Sequence, residues 1–322
     1  MKKISIVIPC YCSAKTLPHV LKEIKAEFEH HHYTNYEIIL VSDASPDDVY
    51  DIIQSYASKD IRIKGIEMSR NFGQHAALMA GYRAVTGDIV VSMDDDGEIP
   101  TSQIFSLIDK IGEGYDVVYA SYTNHVRGLF RLFGTKINEL MANVLLEKEK
   151  SIKLSSFFAA KRFIIDDVIR YKASYTYIPG LVLRTTTKIT NIEMTLRNRM
   201  AGSSGYTLKK LLSLWFNGFT AFSVKPLRVA SMAGIFCTGV GVLYGLFIVI
   251  NKLLNPWIQA GYSSIMAVLL FVGGMIMLML GMIGEYLGRI YISLNNSPQY
   301  VIRQTINIDS YEHKLNITER KE

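Results

Sequence analysis

The chain has 322 residues, enough for one large domain and a smaller companion, and 49% of them are hydrophobic, which is high for a purely soluble protein. Three cysteines, Cys10, Cys12 and Cys237, are too few and too badly spaced for a disulfide framework or a zinc site. A net charge of +6 leaves nucleic acid, anionic lipid and anionic substrates open as partners.

The first part of the chain, residues 1–122, alternates between apolar runs and stretches of helical periodicity. Its first apolar run is too short for a signal-peptide core and is ended by Pro9, so we expect this part to stay in the cytoplasm. Repeated strand–helix units predict a mostly parallel sheet in a three-layer α/β domain. The predicted strands are residues 4–8, 37–41, 61–68, 89–93 and 116–120, and helical spacing is found at residues 17–28, 49–56, 76–84 and 104–111.

The middle of the chain, residues 123–207, is less regular. Arg127 and Arg131 lie four positions apart, so on a helix they would share one face. Residues 155–160 form a candidate strand, and a basic stretch follows that ends in a run rich in glycine and serine at residues 201–206.

The composition changes near residue 208. Residues 208–216 mix lysines with large apolar residues and a tryptophan, which is typical of a helix in the membrane interface. Residues 229–250 and 265–283 are uncharged apolar runs, and spanning a bilayer takes about 20 residues. Basic residues flank the pair, so the positive-inside rule predicts both ends in the cytoplasm and the short loop outside. Glycines in both runs would permit close helix packing, within the hairpin or between protomers of a homo-oligomer.

These observations divide the chain into four parts. We expect a cytoplasmic domain over residues 1–207, an interfacial amphipathic segment over residues 208–228, a two-helix transmembrane domain over residues 229–290, and a polar cytoplasmic tail over residues 291–322.

A cluster of three carboxylates, Asp94, Asp95 and Asp96, directly follows the predicted strand at residues 89–93. Open α/β sheets bind ligands at the carboxyl ends of their strands, where this cluster would lie. Adjacent carboxylates repel one another, so a cation is their natural partner, and a hard divalent ion that also binds phosphates suits oxygen ligands. From this stretch alone, a solvated acidic turn is an equally good interpretation.

Two further side chains would lie at the same edge of the sheet. Asp43 follows the second predicted strand and is suited to bind a nucleobase or ribose, although an aspartate is also a common turn residue. Arg70 follows the third strand and can pair with phosphate oxygens. Neither a GxGxxG nor a GxxxxGK[ST] motif is present, so a Rossmann dinucleotide site and a P-loop are not supported.

Four motifs occur in a familiar order and spacing, and together they resemble family 2 glycosyltransferases with the GT-A fold. They are Pro9-x-Tyr11, Asp43-Ala44-Ser45-Pro46-Asp47, Arg70-Asn71-Phe72-Gly73 and Asp94-x-Asp96. The runs at residues 199–206 and 284–291, with the two apolar spans, resemble a narrower group, the polyprenyl-phosphate glycosyltransferases that include dolichol-phosphate mannosyltransferase. The likeness covers residues 3–303.

The resemblance implies roles for individual residues. Asp94 and Asp96 would bind Mg²⁺ or Mn²⁺ on the donor diphosphate, and Asp95 would face the nucleotide or solvent. Arg127 and Arg131 would hold the lipid phosphate, with a solvated basic helix face as the alternative. The implied catalytic residues are Asp96, Arg127 and Arg131, and the implied donor-binding residues are Pro9, Tyr11, Asp43, Arg70, Asp94, Asp95, Arg199 and Ser203, the last pair in a loop that closes over the site.

The chain departs from the family pattern in four places. Ser42-Asp43 stands where relatives often have two acids, and Cys12 stands where they often have asparagine. Gly97-Glu98 stands where relatives often have Leu-Gln, and residues 155–157 lack an aspartate that is a candidate base in many relatives. A phosphate acceptor needs less help from a base, because the second pKa of a phosphomonoester is about 6 and the group is largely ionised at neutral pH.

The leading hypothesis is an inverting glycosyltransferase that moves a sugar from a nucleoside-diphosphate donor to undecaprenyl phosphate at the cytoplasmic face of a bacterial inner membrane, for envelope glycan or lipopolysaccharide assembly. A transferase acting on a growing glycan is the second hypothesis, but neither tryptophan follows an arginine as in the usual Gln-x-x-Arg-Trp motif. A non-catalytic, nucleotide-sugar-binding scaffold is the third. Nucleic-acid binding is disfavoured, because the basic residues lie beside the spans and lack interleaved aromatics.

Overall fold

The computed structural model describes residues 1–122, 152–173, 176–197, 225–254, 261–294 and 298–308. The chain divides into two compact units, residues Met1–Tyr206 with Ser297–Glu322, and residues Thr207–Asn296. Both ends of the chain therefore contribute to the first unit. Its strands are β1 (Ile4–Cys10), β2 (Tyr36–Ser42), β3 (Ile63–Met68), β4 (Ile89–Ser92), β5 (Val117–Tyr122), β6 (Phe158–Lys161), β7 (Ile189–Met194) and β8 (Ile302–Ile306).

The described strands form one eight-stranded sheet in the order β7-β5-β6-β4-β1-β2-β3-β8. β6 and β8 run antiparallel to their neighbours, and the other described pairs are parallel. Because β2 and β4 lie on opposite sides of β1, the strand order reverses at β1, and such reversals are where open α/β sheets bind ligands. Among the described residues, the α-helices of this unit are α1 (Leu17–His30), α2 (Val49–Ala57), α3 (Gln74–Ala84), α4 (Ile104–Gly112), α5 (Arg162–Val168) and α6 (Ile178–Thr185).

Helices cover both faces of the sheet, which confirms the predicted three-layer α/β class. Alternate residues of β1 point to opposite faces. Ile6 and Ile8 pack in a core that includes Leu21 of α1. On the other face Val7 lies against α3 at Gly81, where an added Cβ would come within 2.4 Å of the valine side chain. The missing side chain of Gly81 therefore sets how closely α3 approaches the sheet.

The sequence pattern missed several elements. β7, β8, α5 and α6 were not predicted, and β1 continues through Pro9 to Cys10 instead of ending at the proline. β4 pairs with β1 only as far as Val7, so Pro9 lies where β1 has a neighbour on one side. A proline is tolerated there because no ladder on the open side requires its amide hydrogen. The predicted tail at residues 291–322 contains β8, so part of it belongs to the sheet.

The second unit contains two long helices, α7 (Lys225–Leu254) and α8 (Tyr262–Leu294), which include both predicted apolar spans. They contact each other, since a Cβ added to Gly234 would lie 2.5 Å from the Met279 side chain. By length and composition, one described segment is apolar enough to cross a membrane, Phe271–Gly288, and α7 carries a shorter apolar stretch, Gly234–Phe247. Large apolar side chains on both helices are exposed, including Phe236, Leu243, Leu269, Phe271 and Met277.

Candidate active site

The ends of four neighbouring strands form the candidate active site. β3, β2, β1 and β4 lie side by side and are parallel, so the residues that follow them meet at one edge of the sheet. Asp43, Arg70 and Asp94 follow three of these strands, and Tyr11 follows the fourth. The predicted placement of Asp43, Arg70 and the acidic cluster at one edge is confirmed. β6 is antiparallel to β4, so the residues that precede β6 come to the same edge.

Asp43 is buried and holds the loop after β3. Its carboxylate oxygens accept hydrogen bonds from the backbone amides of Phe72 and Gly73, at 2.7 and 2.8 Å. Burial raises the pKa of Asp43, and the two amide donors oppose that shift. Gly73 has a φ of +92°, a conformation that favours glycine. Asp43 therefore shapes the Arg70 loop, and its contact with a nucleobase stays a prediction.

Arg70 is exposed on this loop. Its guanidinium lies 4.6 Å from the centre of the Phe72 ring, in a cation–π arrangement. This stacking restrains the long side chain while leaving its hydrogen-bond donors available at the surface.

Asp94 is held on both carboxylate oxygens. The side-chain amide of Gln74, the first residue of α3, donates to Oδ1 at 2.7 Å. The hydroxyl of Ser156, just before β6, donates to Oδ2. Burial raises the pKa of Asp94 to about 6, the Ser156 hydroxyl lowers it, and the Asp96 and Glu98 carboxylates add to the rise. Burial is therefore the main cause of the raised pKa, whereas the sequence led us to expect repulsion between the adjacent carboxylates.

Asp95 points back into the protein. Its Oδ2 accepts a hydrogen bond from the backbone amide of Tyr11, at 3.1 Å, and burial raises its pKa to about 6. The sequence predicted that this carboxylate faces nucleotide or solvent, but the structure gives it a partner in the loop after β1. Asp95 thus joins the acidic turn to that loop, and its contact with a donor stays a prediction.

The loop after β1 is also tied to the loop after β2. The Cys12 amide donates to the Ser45 hydroxyl at 2.7 Å, and the Ala14 amide donates to Asp47 at 2.8 Å. Cys12 and Ala44 both have positive φ angles, 55° and 47°, which are uncommon for residues with a side chain. Strained backbone of this kind often occurs at functional sites, because surrounding contacts must hold it in place.

Gly97 and Glu98, unexplained by the sequence, form a tight turn after the acids. Gly97 has a φ of +74°, and the Glu98 amide donates to Asp96 Oδ1 at 3.1 Å. The Glu98 carbonyl accepts a hydrogen bond from the amide of Arg197, just beyond β7. This turn orients Asp96 and connects the acidic segment to the residues that follow β7, which is the strand at one end of the strand order.

Four predicted site residues lie outside the described residues, namely Arg127, Arg131, Arg199 and Ser203. Pro9 is buried within β1, and Tyr11 is exposed at the site edge. Sequence reasoning missed Gln74 and Ser156 as partners of Asp94, and Asp47 as an anchor of the β1 loop. The only signal for Ser156 was its position in the segment where relatives carry an aspartate.

Models of known families match two parts of the chain. The model for glycosyl transferase family 2 matches residues 5–169, which include all but the first residue of β1, the strands β2 to β6, and the described candidate residues from Pro9 to Asp96. A model for the GtrB C-terminal hairpin matches residues 225–290, which cover α7 and most of α8.

Curated relatives align along almost the whole chain. An uncharacterized glycosyltransferase, YkcC of Bacillus subtilis, is 33% identical over 307 residues, covering 95% of both chains. An undecaprenyl-phosphate 4-deoxy-4-formamido-L-arabinose transferase of Pseudomonas savastanoi pv. phaseolicola is 32% identical over 318 residues, covering 96% of this chain and 93% of the relative.

The fold also matches solved structures. Glucosyl-3-phosphoglycerate synthase of Mycobacterium tuberculosis, in complex with Mn²⁺ and uridine-diphosphate-glucose, aligns with a TM-score of 0.51 at 19% identity. The alignment covers 68% of this chain and 77% of that structure. At this identity the match establishes the fold alone, a GT-A-like mixed α/β sheet.

Proposed function

The chain belongs to glycosyl transferase family 2, and from this premise we propose that it transfers a sugar from a nucleoside-diphosphate donor to undecaprenyl phosphate, with inversion at the anomeric carbon. One observation carries the proposal. The edge that gathers Asp43, Arg70, Asp94 and Asp96 belongs to a chain that aligns over almost its whole length with undecaprenyl-phosphate sugar transferases. The bacterial relatives support envelope glycan or lipopolysaccharide modification as the setting.

The residues at this edge fit a divalent ion, Mg²⁺ or Mn²⁺. No group of three or more metal-binding side chains occurs among the described residues, but Mg²⁺ is commonly held by one or two carboxylates together with substrate phosphates. Each Asp94 oxygen accepts one hydrogen bond from Gln74 or Ser156, and a carboxylate oxygen has two lone pairs, so both could still bind a cation. Asp94 and Asp96 would hold the ion, whose charge would stabilise the departing diphosphate.

The protein need not remove a proton from the acceptor. In the proposed reaction a phosphate oxygen of the lipid forms a bond to the anomeric carbon, the bond to the diphosphate breaks, and the nucleoside diphosphate leaves. The acceptor is already ionised at neutral pH, so the reaction does not require a base in the segment where many relatives carry an aspartate. Ser156 in this segment is therefore compatible with the proposed transfer. The protein's tasks are to align the acceptor and to balance charge. We assign Arg127 and Arg131 to the lipid phosphate, and Arg70 to the donor phosphates.

We place the protein in the bacterial inner membrane, with both helices of the hairpin spanning it and the catalytic unit in the cytoplasm. The match to the GtrB hairpin and the exposed apolar side chains on α7 and α8 support this placement, because exposed apolar surface of this extent marks contact with lipid or protein. The tail beyond the hairpin would then return to the cytoplasmic side.

The test is a transfer assay with the full-length protein in detergent. Undecaprenyl phosphate, Mn²⁺ or Mg²⁺, and a panel of uridine-, guanosine- and thymidine-diphosphate sugars are supplied, and lipid-linked sugar is followed by mass spectrometry. We expect one donor to give a polyprenyl-phosphate sugar. Asp96→Asn should lower the rate by about 100-fold or more, because the variant loses a carboxylate that neutralises the ion.

Asp51→Asn is the matched control, since Asp51 is exposed on α2, and it should leave the rate unchanged. A lack of lipid-linked sugar from every donor, under conditions in which an undecaprenyl-phosphate transferase is active, would contradict the proposal. Full activity of Asp96→Asn would refute the assignment of a metal ion to Asp94 and Asp96. Full activity of the wild-type protein in the presence of EDTA would refute it as well. Donor binding without turnover would favour the scaffold hypothesis.

A further inference from the structure

The chain returns from the hairpin to the first unit through residues 298–307, here called the return segment. β8 lies within it and pairs antiparallel with β3, with Gly65 opposite Ile306 and Glu67 opposite Gln304. The register then shifts, because Met68 pairs with Ile302 and leaves Arg303 as an extra residue. Such a bulge redirects a side chain, and bulges are enriched beside active sites.

The bulge lets two consecutive residues reach one carboxylate. In a regular strand Arg303 and Gln304 would point to opposite faces. Here the Arg303 guanidinium is 3.3 Å from Glu67 Oε1, and the Gln304 amide donates to Glu67 Oε2 at 2.8 Å. The Arg303 guanidinium also donates to the Ser69 carbonyl at 3.1 Å, so it joins the end of β3 to the residue that precedes Arg70.

The return segment therefore holds both backbone groups of Ser69. The Ser69 amide donates to the Val301 carbonyl at 2.8 Å, and the Ser69 carbonyl accepts from Arg303. At the other end of the loop, Asp43 holds the amides of Phe72 and Gly73. Residues 69–73, here called the donor loop, are thus fixed at both ends, with Arg70 and Asn71 exposed between them.

We propose that Arg303 is a positioning residue, which acts through the donor loop to set the place of Arg70 for the donor phosphates. The inference rests on the proposed function, since it takes Arg70 as a donor contact. It assigns to a residue beyond the hairpin a part in donor binding. The Arg303 side chain is 58% exposed, and exposed ion pairs add little to stability, so its removal is expected to leave the protein folded.

The first test measures the loop itself. Hydrogen exchange of the full-length protein in detergent, without ligand, is compared for wild type, Arg303→Ala and Asn307→Ala. Asn307 is the matched control, because its side-chain amide also makes two hydrogen bonds, to the carbonyls of Ala57 and Ile63. These bonds lie at the amino end of β3, away from the donor loop at its carboxyl end. We expect exchange of the Phe72 and Gly73 amides to speed up by about fivefold or more in Arg303→Ala and to stay unchanged in Asn307→Ala.

The second test measures the KM for the donor, using the sugar nucleotide that is a substrate in the transfer assay. Arg303→Ala should raise the KM for that donor by about fivefold and leave the KM for undecaprenyl phosphate unchanged, because one charge-assisted hydrogen bond is lost from the loop. Arg303→Lys should restore part of the loss, since an ammonium group can reach one of the two oxygens. Asn307→Ala should change neither KM.

Two outcomes would overturn the inference. One is an unchanged exchange rate of the donor loop in Arg303→Ala. The other is a rise in both KM values together with a matching loss of thermal stability, which would indicate a general structural role. A wild-type protein that forms no lipid-linked sugar would overturn the proposed function instead, and the exchange comparison would still decide whether Arg303 fixes the loop.

Discussion

At the scale of single residues, the site is organised by hydrogen bonds to carboxylates. Gln74 and Ser156 hold Asp94, the amides of Phe72 and Gly73 hold Asp43, and the Tyr11 amide holds Asp95. All of these donors are neutral, so they fix the orientation of each carboxylate without cancelling its charge. Partners of this kind orient metal-binding groups and strengthen metal binding.

Ser156→Ala should raise the Mn²⁺ concentration needed for half-maximal transfer by about tenfold, because Asp94 loses one of its two orienting hydrogen bonds. Titration of activity with Mn²⁺, together with Mn²⁺ binding by electron paramagnetic resonance, measures the change. Ser155→Ala is the control, since this neighbouring hydroxyl donates to the Phe157 carbonyl and not to Asp94. Equal shifts in the two variants would argue against an orienting role for Ser156.

The sequence allowed the carboxylates to be found but not their partners. Asp43, Arg70 and Asp94 each follow a predicted parallel strand, and parallel strands bring their carboxyl ends to one edge. Ser156 reaches the same edge only because β6 runs antiparallel between β4 and β5, a pairing that the sequence pattern does not specify. Gln74 lies two residues before the predicted helix at residues 76–84, and nothing in the sequence pattern pairs it with Asp94.

At the scale of elements, a buried carboxylate joins the amino ends of the central strands, opposite the site. Glu37 of β2 lies within 3.0 Å of the ammonium groups of Lys3 and Lys64, and it accepts hydrogen bonds from Ser5 and Thr86. Burial alone would raise the pKa of Glu37, but the hydrogen bonds from Lys64, Ser5 and the Thr86 amide lower it from an ordinary 4.5 to about 2.

This lowered pKa gives a pH dependence of stability. A carboxyl group with a lowered pKa in the folded state stabilises the protein above pH 4.5, and the stabilisation is lost as the pH falls toward 2. Glu37→Gln should therefore lower the free energy of unfolding at pH 7 by about 3 kcal/mol and flatten its fall between pH 4.5 and 2. Thermal unfolding at several pH values measures this, and parallel curves for variant and wild type would contradict it.

Gly81→Ala tests the packing of α3 on the sheet. A Cβ at this position would lie 2.4 Å from Val7 and 3.2 Å from Val41, so we expect destabilisation of about 1–3 kcal/mol, despite the better helix propensity of alanine. Gly112→Ala is the control, because no atom lies within 4 Å of the added Cβ. The melting temperature should fall in Gly81→Ala and not in Gly112→Ala. An unchanged melting temperature in Gly81→Ala would show that α3 can move away from the sheet at little cost in free energy.

The strands that the sequence predicted share a hydrophobic pattern, and the strands that it missed lack this pattern. β1, β2 and β4 are buried along their whole length and consist mostly of apolar residues, and the buried polar pair Ser5 and Glu37 is hydrogen-bonded. β8 reads Ile-Arg-Gln-Thr-Ile, with three exposed polar residues at its centre, as is typical of an edge strand. β7 is likewise half-exposed along most of its length. Short polar edge strands carry too little periodicity to be separated from loops by pattern alone.

At the scale of the whole molecule, the chain leaves the first unit after Tyr206, forms the helical unit, and comes back at Ser297. Hydropathy predicted the two helices, because uncharged runs of this length are rare in soluble domains. It did not predict the return, because pairing between β3 and β8 joins residues far apart in the sequence.

The proposed membrane placement gives a simple fractionation result. The full chain expressed in bacteria should sediment with membranes, stay there after washing with high salt or alkaline carbonate, and be released by detergent, because the apolar surfaces of α7 and α8 would lie in lipid. A tag at the carboxyl end should be protected from protease added to intact spheroplasts. Release by salt alone would indicate a peripheral protein, and cleavage of the tag would reverse the predicted orientation.

The position of β8 after both long helices also fixes an order of assembly. During synthesis the ribosome completes β1 to β7 and then both long helices before it makes the strand that covers β3. Until then β3 has an unpaired edge, which is a template for pairing with other chains. The return segment, which contains β8, also holds Ser69 through Val301 and Arg303. A nascent or truncated chain would thus have an incomplete donor loop, so this part of the site is finished only after the hairpin has been made.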